Sequence, residues 1–263
     1  MNRFLPLILL GLACTAPAGA QSLRDFCADA PGLGTPSCTL DKDHAAIEFG
    51  AIDWTRDQDA GRREDTVFTG DMLFRYGVTD SLEAQVGWAA YGHVRERAAD
   101  GAVRRADGTG DVRLALRQNL ANPDGSGFSI ALMPSVTLPT GGSAIGVGDW
   151  SASLLVPVSY ELTDAFSLGF TGEIDGAADE DGGGHHLAYG GIAGLEASLT
   201  GTLSAAAELA ASRDEEQGTT EWLAGLSLAM MRGESLQFGA GANIGLNHEA
   251  ADLQLYLNVA KRF

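Results

Sequence analysis

Apolar and polar residues alternate along most of this chain. Near its end, Leu253, Leu255, Leu257 and Val259 alternate with mostly polar residues before the chain finishes at Phe263. Successive side chains of a β-strand point to opposite faces of a sheet, so this pattern predicts a strand with one apolar face. The pattern recurs about a dozen times with no helical period after the first twenty residues, which predicts an all-β protein.

The alternation predicts about twelve strands, each near or above the ~9–11 residues that cross a bilayer at a tilt. In the third strand Leu82 and Val86 share one face, and Glu83 and Gln85 share the other. Apolar faces of this length suit lipid, which predicts an up-and-down antiparallel transmembrane β-barrel. The strands are expected at residues 44–55, 66–78, 81–95, 109–120, 127–139, 150–162, 165–176, 185–199, 202–212, 220–231, 235–247 and 252–263.

A soluble β-sandwich or lipocalin-like barrel is the alternative, since it would bury the apolar faces instead. The number and length of the strands favour the membrane barrel, as do their second faces, which are rich in Gly, Ala, Ser and Thr.

The predicted connections alternate between tight turns, such as 78–80 and 162–164, and longer charged links. Short turns of bacterial outer-membrane barrels face the periplasm, and an even strand number places both termini there. The longer links are expected at residues 56–65, 96–108, 140–149, 176–184 and 213–219.

The amino-terminal residues are predicted to be processed and not to join the barrel. An apolar run from Phe4 to Ala13 follows Arg3, which is typical of a signal peptide over residues 1–20. Residues 21–43, which we call the leader, contain Cys27 and Cys38, and an exported chain with two cysteines favours a disulfide. We expect a periplasmic leader that serves as a cap, a plug in the lumen or an inert segment, and a barrel over residues 44–263.

The balance of charge excludes some partners. The chain has 17 Lys and Arg against 35 Asp and Glu, a net charge of −18. Such acidity argues against nucleic-acid binding. Nucleotide-binding and nucleophile motifs are not found in the sequence, so we expect no cofactor and no enzymatic activity. An outer-membrane lipid hydrolase remains the enzymatic alternative; it needs a serine on the lipid-facing side that is activated by a histidine, which a third polar group orients.

Polar side chains on the predicted inner faces are the candidates for lining a pore, because charges along a lumen set ion selectivity. The functional interpretation is a narrow pore that prefers cations; the alternative is a lumen filled by paired charges, since twelve strands fall between filled and open barrels. The candidates are Arg75, Glu83, Gln85, Arg113, Arg117, Glu161, Glu173, Asp175, Glu196, Glu208, Glu221 and Asn243.

We expect no metal site. The acidic loop 175–182 does not have the spacing of a calcium-binding EF-hand. His185 and His186 are adjacent on a strand, so their side chains point to opposite faces and cannot bind one ion together.

Three short glycine-rich motifs carry a family resemblance: Gly108-Thr109-Gly110-Asp111, Leu138-Pro139-Thr140-Gly141-Gly142 and Gly146-Val147-Gly148-Asp149-Trp150. With the terminal Ala260-Lys261-Arg262-Phe263, they resemble outer-membrane proteins grouped as a meta-pathway phenol-degradation family and often labelled transporters. The resemblance covers residues 44–263 and implies a channel for small solutes, aromatic compounds among them.

Together these features predict a bacterial outer-membrane channel for passive transport of small solutes. The expected partners are outer-membrane lipid, those solutes, and the barrel-insertion machinery that meets the last strand and Phe263. The competing hypothesis is a closed barrel with a binding or structural role at the cell surface.

Overall fold

The computed structural model describes residues 23–142, 145–179 and 183–263. Strands and their connections make up the described chain from Ala45 onward, after an irregular leader, and no described residue belongs to a helix of the length and apolarity needed to cross a membrane. The predicted signal peptide, residues 1–20, lies outside the described residues. The strands are β1 Ala45–Asp59, β2 Arg62–Gly77, β3 Leu82–Arg97, β4 Val103–Gly108, β5 Val112–Ala121, β6 Phe128–Leu138, β7 Ser151–Thr163, β8 Phe166–Ala178, β9 His185–Thr200, β10 Leu203–Asp214, β11 Thr219–Arg232, β12 Leu236–Gly245 and β13 Leu253–Arg262.

The strands form one closed antiparallel barrel. Apart from β4 and β5, neighbours in sequence pair with each other, and β13 returns to pair with β1. Both β4 and β5 pair with β3, at Gly92↔Gly108 and Trp88↔Val112, so together they occupy one strand position. The barrel therefore has twelve strand positions, and the predicted fold is confirmed.

The barrel has an apolar outer surface and a polar interior. Arg75, Glu83, Arg117 and Ser129 are almost completely buried, at 2%, 0%, 0% and 0% exposure. Large apolar side chains are instead exposed around the outside, which is the inverse of a soluble core and suits contact with lipid. They include Phe49, Val86, Leu114, Leu132, Leu154, Phe170, Leu195, Leu226, Phe238 and Leu257.

Two of the predicted long links are wrong, because the strands continue through them. β1 and β2 are joined by a two-residue turn at Ala60 and Gly61, whose φ angles of 46° and 86° suit a tight hairpin. The link predicted at 96–108 is the end of β3, a short turn and β4. The polar residues of these hairpin ends do not alternate with apolar ones, because the ends extend past the apolar band of the outer surface.

The glycine-rich motifs meet where β4 gives way to β5. The Asp111 carboxylate accepts hydrogen bonds from the backbone N–H groups of Gly141 and Val147, at 2.7 and 2.8 Å. A Cβ atom at Gly141 would lie 2.7 Å from the carbonyl oxygen of Thr109, so only glycine fits this contact. The motifs thus fix a loop to the barrel wall.

Candidate functional site: a lumen crossed by the leader

The leader passes through the barrel interior instead of lying outside it. Asp29 contacts Arg117 of β5, and nearly opposite, five of the twelve strand positions away, Leu33 donates its backbone N–H to the Glu208 carboxylate of β10 at 2.7 Å. Between them, the side-chain amide of Gln237 donates to the carbonyl oxygen of Ala30 at 2.6 Å. These contacts come from well-separated strands, so the leader crosses the lumen.

One end of the leader is held by a buried ion cluster that we call the lumen cluster: Asp29, Glu48, Arg75, Glu83 and Arg117. Arg75 donates from Nε to Glu83 at 2.7 Å and from Nη1 to Glu48 at 2.8 Å. Nη2 of Arg117 donates to both carboxylate oxygens of Asp29, each at 2.8 Å. Three carboxylates and two guanidinium groups thus form a mostly buried, paired cluster with one negative charge in excess.

The charge of Asp29 is stabilised by this arrangement. Burial alone would raise the pKa of the Asp29 carboxyl, but the nearby charges of Arg117 and Arg75 outweigh it and hold the pKa below its ordinary value. The carboxylate therefore stays ionised, and the ion pair holds the leader to β5.

Two wall carboxylates bind the leader through its backbone. Glu48 accepts from the N–H groups of Asp29 and Ala30, at 2.8 and 3.0 Å. Glu208 accepts from those of Leu33 and Gly34, at 2.7 and 2.8 Å. Each carboxylate satisfies two consecutive donors that would otherwise be unpaired in the lumen.

A disulfide closes the leader into a loop around these anchors. Cys27 and Cys38 are bonded, as predicted, and Asp29 to Thr35 lie between them. The carbonyl oxygen of Cys27 accepts from Arg75 at 2.6 Å, and that of Cys38 accepts from Arg117 at 3.1 Å. The two arginines thus contact both ends of the disulfide loop.

Two cavities lie beside the disulfide loop of the leader. The smaller, about 200 Å³, lies along β8 to β11 and is lined by Thr171, Glu196 and Glu208. The larger, about 370 Å³, lies against β1, β2 and β13. Its lining combines the charged groups Asp53, Asp71 and Arg113 with apolar and aromatic ones, among them Phe68, Leu73 and Tyr256. Neither cavity is filled by the leader.

The twelve candidate lining residues fall into distinct environments. Arg75, Glu83 and Arg117 belong to the lumen cluster, and Gln85 donates to Glu83 at 2.7 Å. Glu208 binds the leader, while Asn243 is buried and donates to Gln254 at 2.7 Å. Facing the cavities or near them are Arg113, Glu173, Asp175 and Glu196.

Glu161 and Glu221 lie near strand ends. Glu161 is exposed and accepts from the backbone N–H of Gly127 at 2.6 Å. Glu221 is also exposed and is the third residue of β11. Pore lining remains a prediction for these two residues, as for the other ten.

Sequence reasoning missed several groups that the interior uses: Asp29, Glu48, Asp53 and Asp71. Glu48 lies in a predicted strand, so its parity could have indicated the inner face. Asp29 is the only acid between the two cysteines, but its partner, Arg117, is 88 residues away. No local pattern connects them.

Three histidines in the strands have carboxylate or carbonyl partners. His93 contacts Asp107 at 2.6 Å, and His185 contacts the carbonyl oxygen of Trp150 at 2.7 Å. His186 lies between Asp179 and Asp214, at 2.9 and 3.2 Å. None of these partners is the serine hydroxyl that a hydrolase would need.

One group of side chains has the composition of a metal site. Ligand atoms of Asp179, His186 and Glu216 lie within 4.8 Å of one another near the ends of β8 and β10. A protonated imidazole would pair with these carboxylates equally well, so the geometry does not require an ion.

Comparisons with known proteins agree on a family and a fold. The model of the family described as "Putative MetA-pathway of phenol degradation" matches residues 28–263. No curated protein matches the sequence.

Several solved barrels are similar in structure. The outer membrane channel COG4313 from Pseudomonas putida F1 superposes with a TM-score of 0.68 at 14% identity, covering 89% of this chain and 99% of that one. The KdgM porin gives 0.52 at 12% identity, with coverage of 83% and 99%. The translocator domain of the autotransporter NalP from Neisseria meningitidis gives 0.51 at 13%, with coverage of 89% and 90%.

Proposed function

The chain belongs to the family described as a putative MetA-pathway of phenol degradation, and on this premise we propose that it is an outer-membrane channel for passive transport of small solutes. The observation that carries the proposal is the pair of cavities left beside the leader inside a closed barrel. A barrel with an apolar outside and charged internal cavities has the form of a selective pore.

We further propose that small aromatic solutes bearing a polar group are among those conducted. The cavity of about 370 Å³ is larger than the ~150 Å³ cavity that holds benzene in an engineered protein. Phe68 and Leu73 offer apolar surface to a ring, while Arg113 and Tyr256 offer hydrogen-bond donors to its polar group. The description of the family, which refers to phenol degradation, supports this solute class.

The direct test is the single-channel conductance of the refolded chain without residues 1–20 in a planar bilayer. Discrete current steps that are reduced reversibly by millimolar phenol or benzoate on one side would support both proposals. Current steps that neither compound affects would support the channel proposal and contradict the proposal of aromatic solutes. The absence of current from protein shown to be folded and inserted would favour a closed barrel. The closed barrel is the second candidate because the leader is anchored in the lumen at Asp29.

We expect the pore to prefer cations, with Arg113 limiting that preference. Arg113 lines the larger cavity with Asp53 and Asp71, and Glu173 lies close enough to interact with its charge. Arg113→Gln removes the one positive charge from that lining, so the cation-to-anion permeability ratio should rise roughly twofold or more. The measurement is the reversal potential in a tenfold salt gradient.

The matched control for this prediction is Arg97→Gln, which removes the same charge from the exposed end of β3. It should leave the reversal potential within error of the unmodified protein. Equal shifts in both variants would mean that overall charge, and not the lumen lining, sets selectivity.

A further inference from the structure

Arginines are concentrated at one side of the barrel. Of the 17 Lys and Arg in the chain, seven lie in residues 56–65 and 95–105, the far ends of the β1–β2 and β3–β4 hairpins. Only four lie after residue 118. In a chain of net charge −18, these two hairpin ends are therefore unusually rich in positive charge.

Five of these arginines share the outer face of the barrel wall. Asp53 faces the lumen, where its carboxylate accepts from Gln254 at 2.8 Å. Its neighbour Trp54 therefore faces outward. The guanidinium of Arg56 lies over the Trp54 ring, 4.6 Å from its centroid, so Arg56 is on the outer face as well.

The strand register extends this outer face across three strands. Arg56 is opposite Asp65, and Asp65 is opposite Arg95. Residues directly opposite each other share a face. Arg63 opposite Arg97, and Arg95 opposite Arg105, complete the surface that we call the arginine patch: Arg56, Arg63, Arg95, Arg97 and Arg105.

The patch keeps a net positive charge after its own ion pairs are counted. Asp65 is bound by Arg56 and Arg63, at 3.2 and 2.8 Å, with Arg95 at 3.9 Å. The other acid on this face, Asp107, is bound by Tyr91 and His93. Five arginines against two carboxylates leave three positive charges, and Arg97 and Arg105 are exposed.

The height of the patch matches that of lipid headgroups. Arg95 lies thirteen residues beyond Leu82, the first residue of β3. At ~3.3 Å per residue and a tilt near 40°, this is roughly 33 Å along the barrel axis, above an apolar band that is ~25 Å tall. Tyr91 and Trp54 lie just below, where aromatic side chains mark the edge of the hydrocarbon.

From these observations we propose that the arginine patch binds the phosphate groups of a phosphorylated lipid in the outer leaflet. Guanidinium groups form paired, charge-assisted hydrogen bonds with phosphate oxygens. An outward-facing cluster at headgroup height presents several of them to a lipid whose acyl chains would lie against the apolar band below. The barrel would thereby carry a fixed lipid at one side.

The test measures lipid binding to the detergent-solubilised full barrel by native mass spectrometry. The probe is lipid A carrying two phosphates, with dephosphorylated lipid A as the second probe. The variant Arg95→Gln/Arg105→Gln removes two patch arginines. The control Arg62→Gln/Arg104→Gln removes two charges from the same hairpin ends, and Arg62 there pairs with Glu64 and Glu96 on the opposite face.

We expect the patch variant to bind bisphosphorylated lipid A roughly 25-fold more weakly, about fivefold for each arginine at an anionic surface. The control should stay within about twofold of the unmodified protein. Equal losses in both variants, or equal binding of both lipids, would overturn the proposal. So would displacement of lipid A by low millimolar inorganic phosphate, which would indicate a site for soluble anions.

Both variants must first be shown to be folded by the altered electrophoretic mobility of the unheated barrel. Should the patch variant fail to fold, Arg97→Gln alone tests the same surface, because Arg97 is exposed and makes no ion pair among the described residues. Its expected loss is about fivefold, and an unchanged affinity would count against the proposal.

Discussion

Removing the leader should increase the single-channel conductance roughly threefold or more. The empty lumen of a twelve-strand barrel is wider than that of a small barrel filled by side chains, although narrower than that of an open porin. The variant lacks residues 21–43 and therefore begins the barrel at His44. The leader crosses the lumen from Arg117 of β5 to Glu208 of β10, so it lies in the path of any ion passing through. The measurement is conductance in a planar bilayer at fixed salt concentration.

The lumen cluster keeps balanced charges when the leader is removed. Arg75 keeps Glu83 and Glu48 as partners, and Arg117 keeps Glu83 at 3.9 Å. Without Asp29, two arginines and two carboxylates remain, which is a neutral set. We therefore expect the shortened barrel to fold and insert.

Two further variants separate the leader's presence from its attachment. Asp29→Asn keeps the leader but removes the charge that Arg117 binds. Cys27→Ser/Cys38→Ser keeps Asp29 but opens the loop. Both should show noisier current with a mean between those of the complete and shortened proteins. Identical conductance in the complete and shortened barrels would mean that ions follow a path the leader does not narrow.

The sequence predicts the strands of the barrel well, but it does not predict the contacts inside the lumen. Alternation of Leu82, Glu83, Val86 and their neighbours is a local property, and it correctly separates lipid-facing from interior positions. What fills an interior is decided by contacts between distant segments. Nothing near Asp29 in sequence indicates that Arg75 and Arg117 lie beside it.

The misassigned links show where the membrane pattern stops being informative. Residues such as Arg56, Arg63 and Arg97 lie in strands that continue beyond the lipid, where no apolar face is required. Alternation alone predicts loops for these charged stretches. The same charges, once placed on a face by the strand register, form the arginine patch.

The ion pairs of the lumen cluster lead to the largest expected change in stability. Arg75→Met should lower the free energy of unfolding by about 3–5 kcal/mol, because it leaves buried carboxylates without their partner. Arg75 is 2% exposed and contacts Glu83, Glu48 and the carbonyl oxygen of Cys27. The measurement is urea unfolding of the barrel in lipid vesicles, followed by tryptophan fluorescence.

The control and the double variant decide whether the ion pairs carry this effect. Arg113→Met shortens another lumen arginine, which lines a water-accessible cavity, and should cost less than about 1 kcal/mol. Adding Glu83→Gln to Arg75→Met removes one of the carboxylate charges that lost its partner, and should recover part of the lost unfolding free energy. If Arg75→Met and Arg113→Met destabilise the barrel equally, the lumen cluster contributes no more than ordinary packing, and its role would be confined to holding the leader. If the double variant instead loses as much unfolding free energy as the two single variants together, Glu83 has enough partners without Arg75. Arg117 is then the residue that holds the cluster together.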